Sequence, residues 1–502
     1  MRSSVTIFAA LVPFLIGHSA VSAQETPVPA GALALERSLV QVTRRVEDSV
    51  VAIARYQVAG STLSPNSPGE PSPTVDPDHP DFIPNEYGTG IVVSDPGDET
   101  RRLVLTCFHV VTGPLMAAGR NPTHKLHVRF SNRRGCPAKI LAADPRSDLA
   151  ILELNPADLK RAGLQARSLK PLNINATPLP SKGRFVLLLG NPFAIARDGS
   201  ASVGWVLISN TRRHAVTSGN RPGAEHSIHR LGTLLQLDKR LRHGTSGGPV
   251  LDLNGRLLGL TTSITPHDAI DTPAGFAIPL DKPITRIINT LRKGLEVEYG
   301  FLGVQPDDVS TGQLAAYSAE FDQPGAARAA RVFRGSPAER AGIRGGDLIL
   351  SVGKEPVRDR YELMRHVELV GPGRELTLEL WRETTRRRVR VKATLGKWPL
   401  PDRSGMIASK RRHPPWRGLD VDYPTGRRRF VPDSFEFPRA VVVTAVQPGS
   451  SAAKAGIESG DFIESAAGQR TETPAEFFRV VNSRRADVSL KLLDGRQVTL
   501  TP

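Results

Sequence analysis

Residues 335–347 of this 502-residue chain, Gly-Ser-Pro-Ala-Glu-Arg-Ala-Gly-Ile-Arg-Gly-Gly-Asp, return 114 positions later as Gly-Ser-Ser-Ala-Ala-Lys-Ala-Gly-Ile-Glu-Ser-Gly-Asp. A match of that length in register marks one folding unit used twice. Each copy reads as a short helix stopped by glycine, a turn and an apolar strand: Leu348-Ile349-Leu350 in the first, Phe462-Ile463 in the second. The C-terminal part is therefore expected to form two related α+β domains, 298–397 and 416–502. A Pro- and Arg-rich linker, 398–415, separates them. The upstream 24–292 has another pattern. From Gly90 to Ile278, short β-branched and apolar runs alternate with Gly, Pro and Asn turns, as in all-β barrels. The expected fold class is mainly β.

The all-β part contains Gly244-Thr245-Ser246-Gly247-Gly248-Pro249. Flanking glycines permit a sharp turn and a close approach to substrate, which suits a nucleophilic serine on an exposed loop. The amides of Gly244, Thr245 and Ser246 are the expected oxyanion donors, those of Gly244 and Ser246 converging on one point. Serine needs a base, and the base an orienting carboxylate. The apolar β-type run 103–111 presents His109 near its end, and Asp148 stands where a turn enters the apolar strand 149–152. Taken singly, His109 reads as a core histidine and Asp148 as a turn residue. The chain order His109, Asp148, Ser246 is that of chymotrypsin-like enzymes.

Further motifs identify a family. Thr106-Cys107-Phe108-His109-Val110-Val111 resembles the Thr-Asn-Ala-His-Val-Val of HtrA (Deg-type) serine proteases. Gly88-Thr89-Gly90, Asp144-Pro145-Arg146-Ser147-Asp148-Leu149-Ala150, Leu189-Gly190-Asn191-Pro192-Phe193 and Gly275-Phe276-Ala277-Ile278-Pro279 are similar to the family's motifs in the same order. The resemblance implies a chymotrypsin-like double β-barrel protease domain followed by two PDZ domains. It also implies a pocket near Leu241, Ser263 and Ile264 that takes aliphatic side chains. Unfolded exported polypeptides are the implied substrates, and a homotrimer or larger homo-oligomer the implied assembly. Where the family has Asp-Ala-Ala-Ile-Asn, this chain has Asp238-Lys239-Arg240-Leu241-Arg242, so three cations flank the cleft. PDZ domains capture peptide C-termini by strand addition, with loop amides binding the carboxylate. Gly300-Phe301-Leu302-Gly303 is the expected loop of the first copy. Arg417-Gly418-Leu419-Asp420-Val421 is its expected counterpart in the second, with Asp420 in place of the second glycine and peptide binding weakened.

Residues 1–23 read as a secretory signal: Arg2, an apolar core from Val5 to Ile16, and Val21-Ser22-Ala23 before the cut. No later apolar run approaches a transmembrane length. The location expected is the periplasm or cell envelope. Residues 59–86, rich in Pro, Ser and Asp, read as an exposed loop. Cys107 and Cys136, the two cysteines, are no disulfide framework, and pairing or separate burial stays open. No metal-ligand spacing occurs, and neither metal nor cofactor is expected. The net charge is +16, and basic clusters occur at 386–388, 410–412 and 427–429. Without interleaved aromatics it points away from nucleic acid and is read as a solvated surface, weak contact with an anionic envelope being the alternative. The competing functions are a catalytically silent chaperone and a PDZ scaffold.

Overall fold

The computed structural model describes residues 29–57, 77, 84, 86–112, 124–191, 199–214, 227–262, 274–315, 323–401, 405–431 and 436–502. The signal segment, most of the 59–86 loop, Pro192, Phe193, Ser263 and Ile264 lie outside the described residues.

The first barrel is built from β1 (Val50–Gln57), β2 (Glu86–Ser94), β3 (Arg102–Cys107), β4 (His124–Arg129), β5 (Gly135–Asp144) and β6 (Leu149–Leu154). All pairings are antiparallel, in the order β5-β4-β1-β2-β3-β6, and a β5–β6 pairing closes the sheet. The second comprises β7 (Phe185–Gly190), β8 (Ser202–Arg213), β9 (Leu234–Leu237), β10 (Pro249–Leu251), β11 (Leu257–Thr262) and β12 (Gly275–Pro279), also closed.

Side chains alternate across a strand, so a strand between two cores must be apolar on both faces. On β2, Ile91 and Val93 enter the core between the barrels while Val92 fills the first barrel. On β3, Leu103 and Leu105 face that shared core and Val104 faces inward. This explains the unbroken runs Ile-Val-Val and Leu-Val-Leu. The second barrel is filled by Val186, Val206, Ile208, Leu235, Val250 and Leu258, among others. The two barrels pack against each other through this common core, and the site forms at their junction.

The helix Lys282–Arg292 follows, N-capped by the Asp281 carboxylate accepting from the Ile284 N–H. Its buried Ile284, Ile287, Ile288 and Leu291 keep the i, i+3, i+4, i+7 spacing of one face. It seals the shared core and hands the chain to the first PDZ domain, whose sheet has the edge strand Val304–Asp308 beside the helix Arg360–Glu368. The second copy repeats this with the edge strand Leu419–Asp422 and the helix Pro474–Asn482. Ser336 and Ser450 cap the repeated short helices identically, each accepting from the N–H three residues on.

The expected linker is held along its described length. Trp398 N–H donates to the Tyr299 carbonyl, and Ile407–Ala408 add a short strand to β5 opposite Ala143 and Ala142. Cys107 and Cys136 are both buried as thiols in the first barrel.

Candidate active site

Asp148 ends the turn between β5 and β6 with φ +55°, a left-handed conformation uncommon for a residue with a Cβ. The turn holds it there. Asp144 accepts from the N–H groups of Arg146 (3.3 Å) and Ser147 (3.2 Å) and from the Ser147 hydroxyl (2.5 Å). The Asp148 carbonyl accepts from the Phe108 N–H at 3.0 Å. So β3 stops at Cys107, and His109 sits on the short helix Phe108–Thr112, where the apolar run was expected to stay extended.

His109 Nδ1 lies 2.9 Å from each Asp148 oxygen, and its backbone N–H donates to Oδ1 at 3.1 Å. The second barrel adds the Thr262 hydroxyl, donating to Asp148 Oδ2 at 2.9 Å. Burial pushes the Asp148 pKa up, but the His109 ring and its N–H groups outweigh burial and hold it below the ordinary carboxylate value. Asp148 is 6% exposed, while the His109 side chain is 34% exposed. The carboxylate is sequestered and the imidazole opens outward.

Ser246 arrives from the second barrel on a loop fastened to the first. Thr89, on β2, donates its N–H to the Ser246 carbonyl (2.8 Å) and its hydroxyl to the Gly244 carbonyl (2.8 Å). The Thr89 carbonyl accepts from the Thr106 hydroxyl at 2.6 Å. Thr261 grips the loop from behind, its hydroxyl donating to the Thr245 carbonyl at 2.6 Å. The Thr261 carbonyl accepts from the Gly247 N–H (2.8 Å) and the Cys107 thiol (3.4 Å). One acceptor thus joins the residue after Ser246 to the residue two before His109. Gly247 has φ +87°, and a Cβ there would collide with the Thr89 carbonyl.

Two expectations change. Ser246 was expected on an exposed loop and is only 5% exposed, because Thr89 and Thr261 draw the loop into the barrel junction. Of the three expected oxyanion amides, the Thr245 N–H donates to the Arg242 carbonyl at 3.2 Å. Leu241 is half-buried against Gly275 at the start of β12, while Lys239, Arg240 and Arg242 stand exposed.

Folding also gathers Cys107, His109 and Asp148, with potential metal-ligand atoms within 4.8 Å of one another. Spacing along the chain did not signal this group. Burial and the Asp148 charge raise the Cys107 thiol well above its ordinary pKa, and the His109–Asp148 hydrogen bonds use the same atoms a metal would need. We derive no metal chemistry from it.

A sequence profile described as trypsin-like peptidase domain matches residues 88–260, and one described as PDZ domain matches 328–382 and 442–494. A probable periplasmic serine endoprotease DegP-like of Hahella chejuensis is 28% identical over 413 residues, covering 82% of this chain and 78% of that protein. Its namesake from Brucella suis is 29% identical over 419 residues, with 82% and 72% covered. The chain combines a trypsin-like peptidase domain with two PDZ domains and is similar to the HtrA-type serine proteases. A solved HtrA-type protease, AlgW with tripeptide, covers 72% of this chain and 98% of its own at 22% identity and TM-score 0.50, a likeness of fold.

The HtrA architecture exposes one register error. Gly303 (φ +85°) and Gly418 (φ +88°) both press against a serine side chain, Ser336 and Ser450 respectively. Their carbonyls accept from Phe333 and Gln447 in the same way. Gly418 is thus the counterpart of Gly303, and the second copy keeps its glycine. Asp420 lies two residues on, in the edge strand, and forms a two-pronged pair with Arg411 at 2.8 and 2.7 Å. Sequence alone favoured the wrong match because Leu-Asp-Val resembles Leu-Gly-Val. Only the turn geometry and the serine contact fix the register.

Proposed function

We propose that Ser246 is the nucleophile, His109 the general base and Asp148 the orienting carboxylate of this endopeptidase. The observation that carries the reading is His109 Nδ1 at 2.9 Å from both Asp148 oxygens. The Nδ1–H is held by an acceptor that cannot donate, so Nε2 carries the lone pair. Nε2 takes the Ser246 proton as Oγ attacks the scissile carbonyl, and returns it to the leaving amine. The acyl-enzyme is then hydrolysed by a water that His109 deprotonates. The Gly244 and Ser246 amides receive the oxyanion, each such donor being worth about 3 kcal/mol of barrier.

The half-buried Leu241 supports a pocket for aliphatic side chains. Unfolded polypeptides in the periplasm are the substrates that fit a protease with peptide-reading domains and periplasmic relatives. Peptide C-termini are the ligands proposed for the first PDZ domain, along its edge strand Val304–Asp308. A homo-oligomer is the assembly consistent with the family. No helix among the described residues is long and apolar enough to cross a membrane.

Fluorophosphonate labelling of the purified chain, followed by peptide mapping, tests the assignment. One adduct on Ser246, lost in His109→Ala, is expected. An unmodified Ser246 in folded protein counts against it and favours a silent chaperone.

A further inference from the structure

A second imidazole stands behind Asp148, and nothing in the mechanism above uses it. His229 lies in the 3-10 turn Ile228–Leu231 and has no solvent exposure. Its Nδ1 is 2.8 Å from the Thr233 hydroxyl and its Nε2 is 3.0 Å from the Ser147 carbonyl. Burial lowers its pKa, with the Asp148 charge and the Ser147 carbonyl acting against burial. A neutral imidazole has one N–H, and a carbonyl can only accept. The proton therefore sits on Nε2, and Nδ1 accepts from Thr233.

The Ser147 carbonyl belongs to the peptide group that enters Asp148, the residue at φ +55°. Relaxing Asp148 towards the right-handed region requires that peptide group to rotate, and its carbonyl with it. Asp144 fixes the near side of the turn through Ser147 N–H and Oγ. His229 Nε2 fixes the far side through the carbonyl. We propose that His229 is a positioning residue: it keeps Asp148 left-handed, so that one carboxylate reaches both His109 Nδ1 and Thr262 Oγ1. The inference rests on the reading of Asp148 as the orienting carboxylate. A histidine kept only to fill the core would satisfy its nitrogens anywhere. This one spends its only proton on the residue before Asp148, 82 positions away in the chain.

The test uses the full chain and three variants. A Gln side chain places its amide nitrogen near the Nε2 position, whereas Asn reaches only as far as Nδ1. His229→Gln should turn over reduced casein within about threefold of wild type, while His229→Asn and His229→Leu should lose about tenfold or more, the scale expected for small misplacement of a reacting group. The charged group facing His229 is Asp148, with Arg230 beside it on the turn. A displaced Asp148 stabilises the His109 imidazolium less. In the Asn and Leu variants, the acid limb of the fluorophosphonate inactivation rate should therefore move to lower pH. Should His229→Leu fail to fold, the Gln and Asn pair decides. Equal rates and an unmoved acid limb in folded Gln and Asn variants overturn the proposal. If wild type itself does not react at Ser246, the underlying functional reading has failed instead.

Discussion

At the scale of single residues, the site depends on backbone that few side chains tolerate. Gly247 is the clearest case. Its Cβ would meet the Thr89 carbonyl, and its φ of +87° already disfavours any L side chain. Gly247→Ala should lower stability by about 2 kcal/mol or more and abolish casein cleavage, as chemical denaturation and a turnover assay would report. Asp148 gives a prediction of sign. Its folded pKa is depressed, so the stability it contributes is present above the ordinary value of 3.8 and is lost as pH falls through the folded value. The difference in melting temperature between wild type and Asp148→Asn should therefore shrink as pH drops below that value. A gap that widens in acid contradicts the assignment. The three residues proposed for the chemistry stand out in the sequence because each carries a local motif. Thr262 and His229 do not, since a lone threonine or histidine gains meaning only when another strand or turn meets it. The depth of Ser246 was also hidden, being set by Thr89 and Thr261 rather than by its own glycines.

Among the elements, strands were the easier part to read. Runs such as Leu103-Val104-Leu105 mark strands of a β-barrel, while their burial on both faces emerges only where the two barrels pack together. The segment before the second PDZ domain was harder, because Pro and Arg describe an exposed linker and a tethered strap equally well. Arg411 pairs with Asp420 on the edge strand, and the His413 ring stacks on Phe478 of the neighbouring helix at 4.3 Å between centroids. Arg412 holds the same strap to Glu298 at 3.1 Å. The strap thus touches both elements that border the strand-addition edge. We propose that this strap, and not a missing glycine, weakens peptide binding by the second copy. In the full chain, a peptide ending in an apolar residue should titrate to one site per protomer in wild type. It should titrate to two in the Arg411→Ala/His413→Ala double variant. Two equal sites in wild type would contradict this account.

Across the whole molecule, the first PDZ domain and the protease domain share a buried junction beside the Asp148 turn. Arg146 Nη2 meets Glu368 Oε2 at 2.5 Å with both side chains nearly inaccessible, and the Arg146 guanidinium lies 4.0 Å from the Tyr299 ring centre. Arg365 donates to the Leu231 carbonyl at 2.8 Å, touching the turn that carries His229. A third contact ties both PDZ domains to the connector: Lys397 Nζ reaches Glu296 (2.9 Å), Glu298 (3.4 Å) and Asp422 (2.8 Å). Removing one partner of a buried pair strands the other charge, at a cost of about 3–5 kcal/mol. Glu368→Ala should accordingly loosen the junction, making residues 293–299 cleavable by an added protease while the barrels stay folded. Protection equal to wild type would show that the pair does not hold the domains together. None of these contacts is visible in sequence, because each joins residues more than 20 positions apart without a motif. The central claim is proteolysis through Ser246, and the most direct measurement is cleavage of reduced casein by purified wild type, Ser246→Ala and His109→Ala at matched oligomer size and secondary structure. Wild type should digest the substrate, and both variants should lose essentially all of that activity, since members of such a unit fail together. Substantial cleavage by the Ser246→Ala protein, or none by folded wild type, would contradict the account.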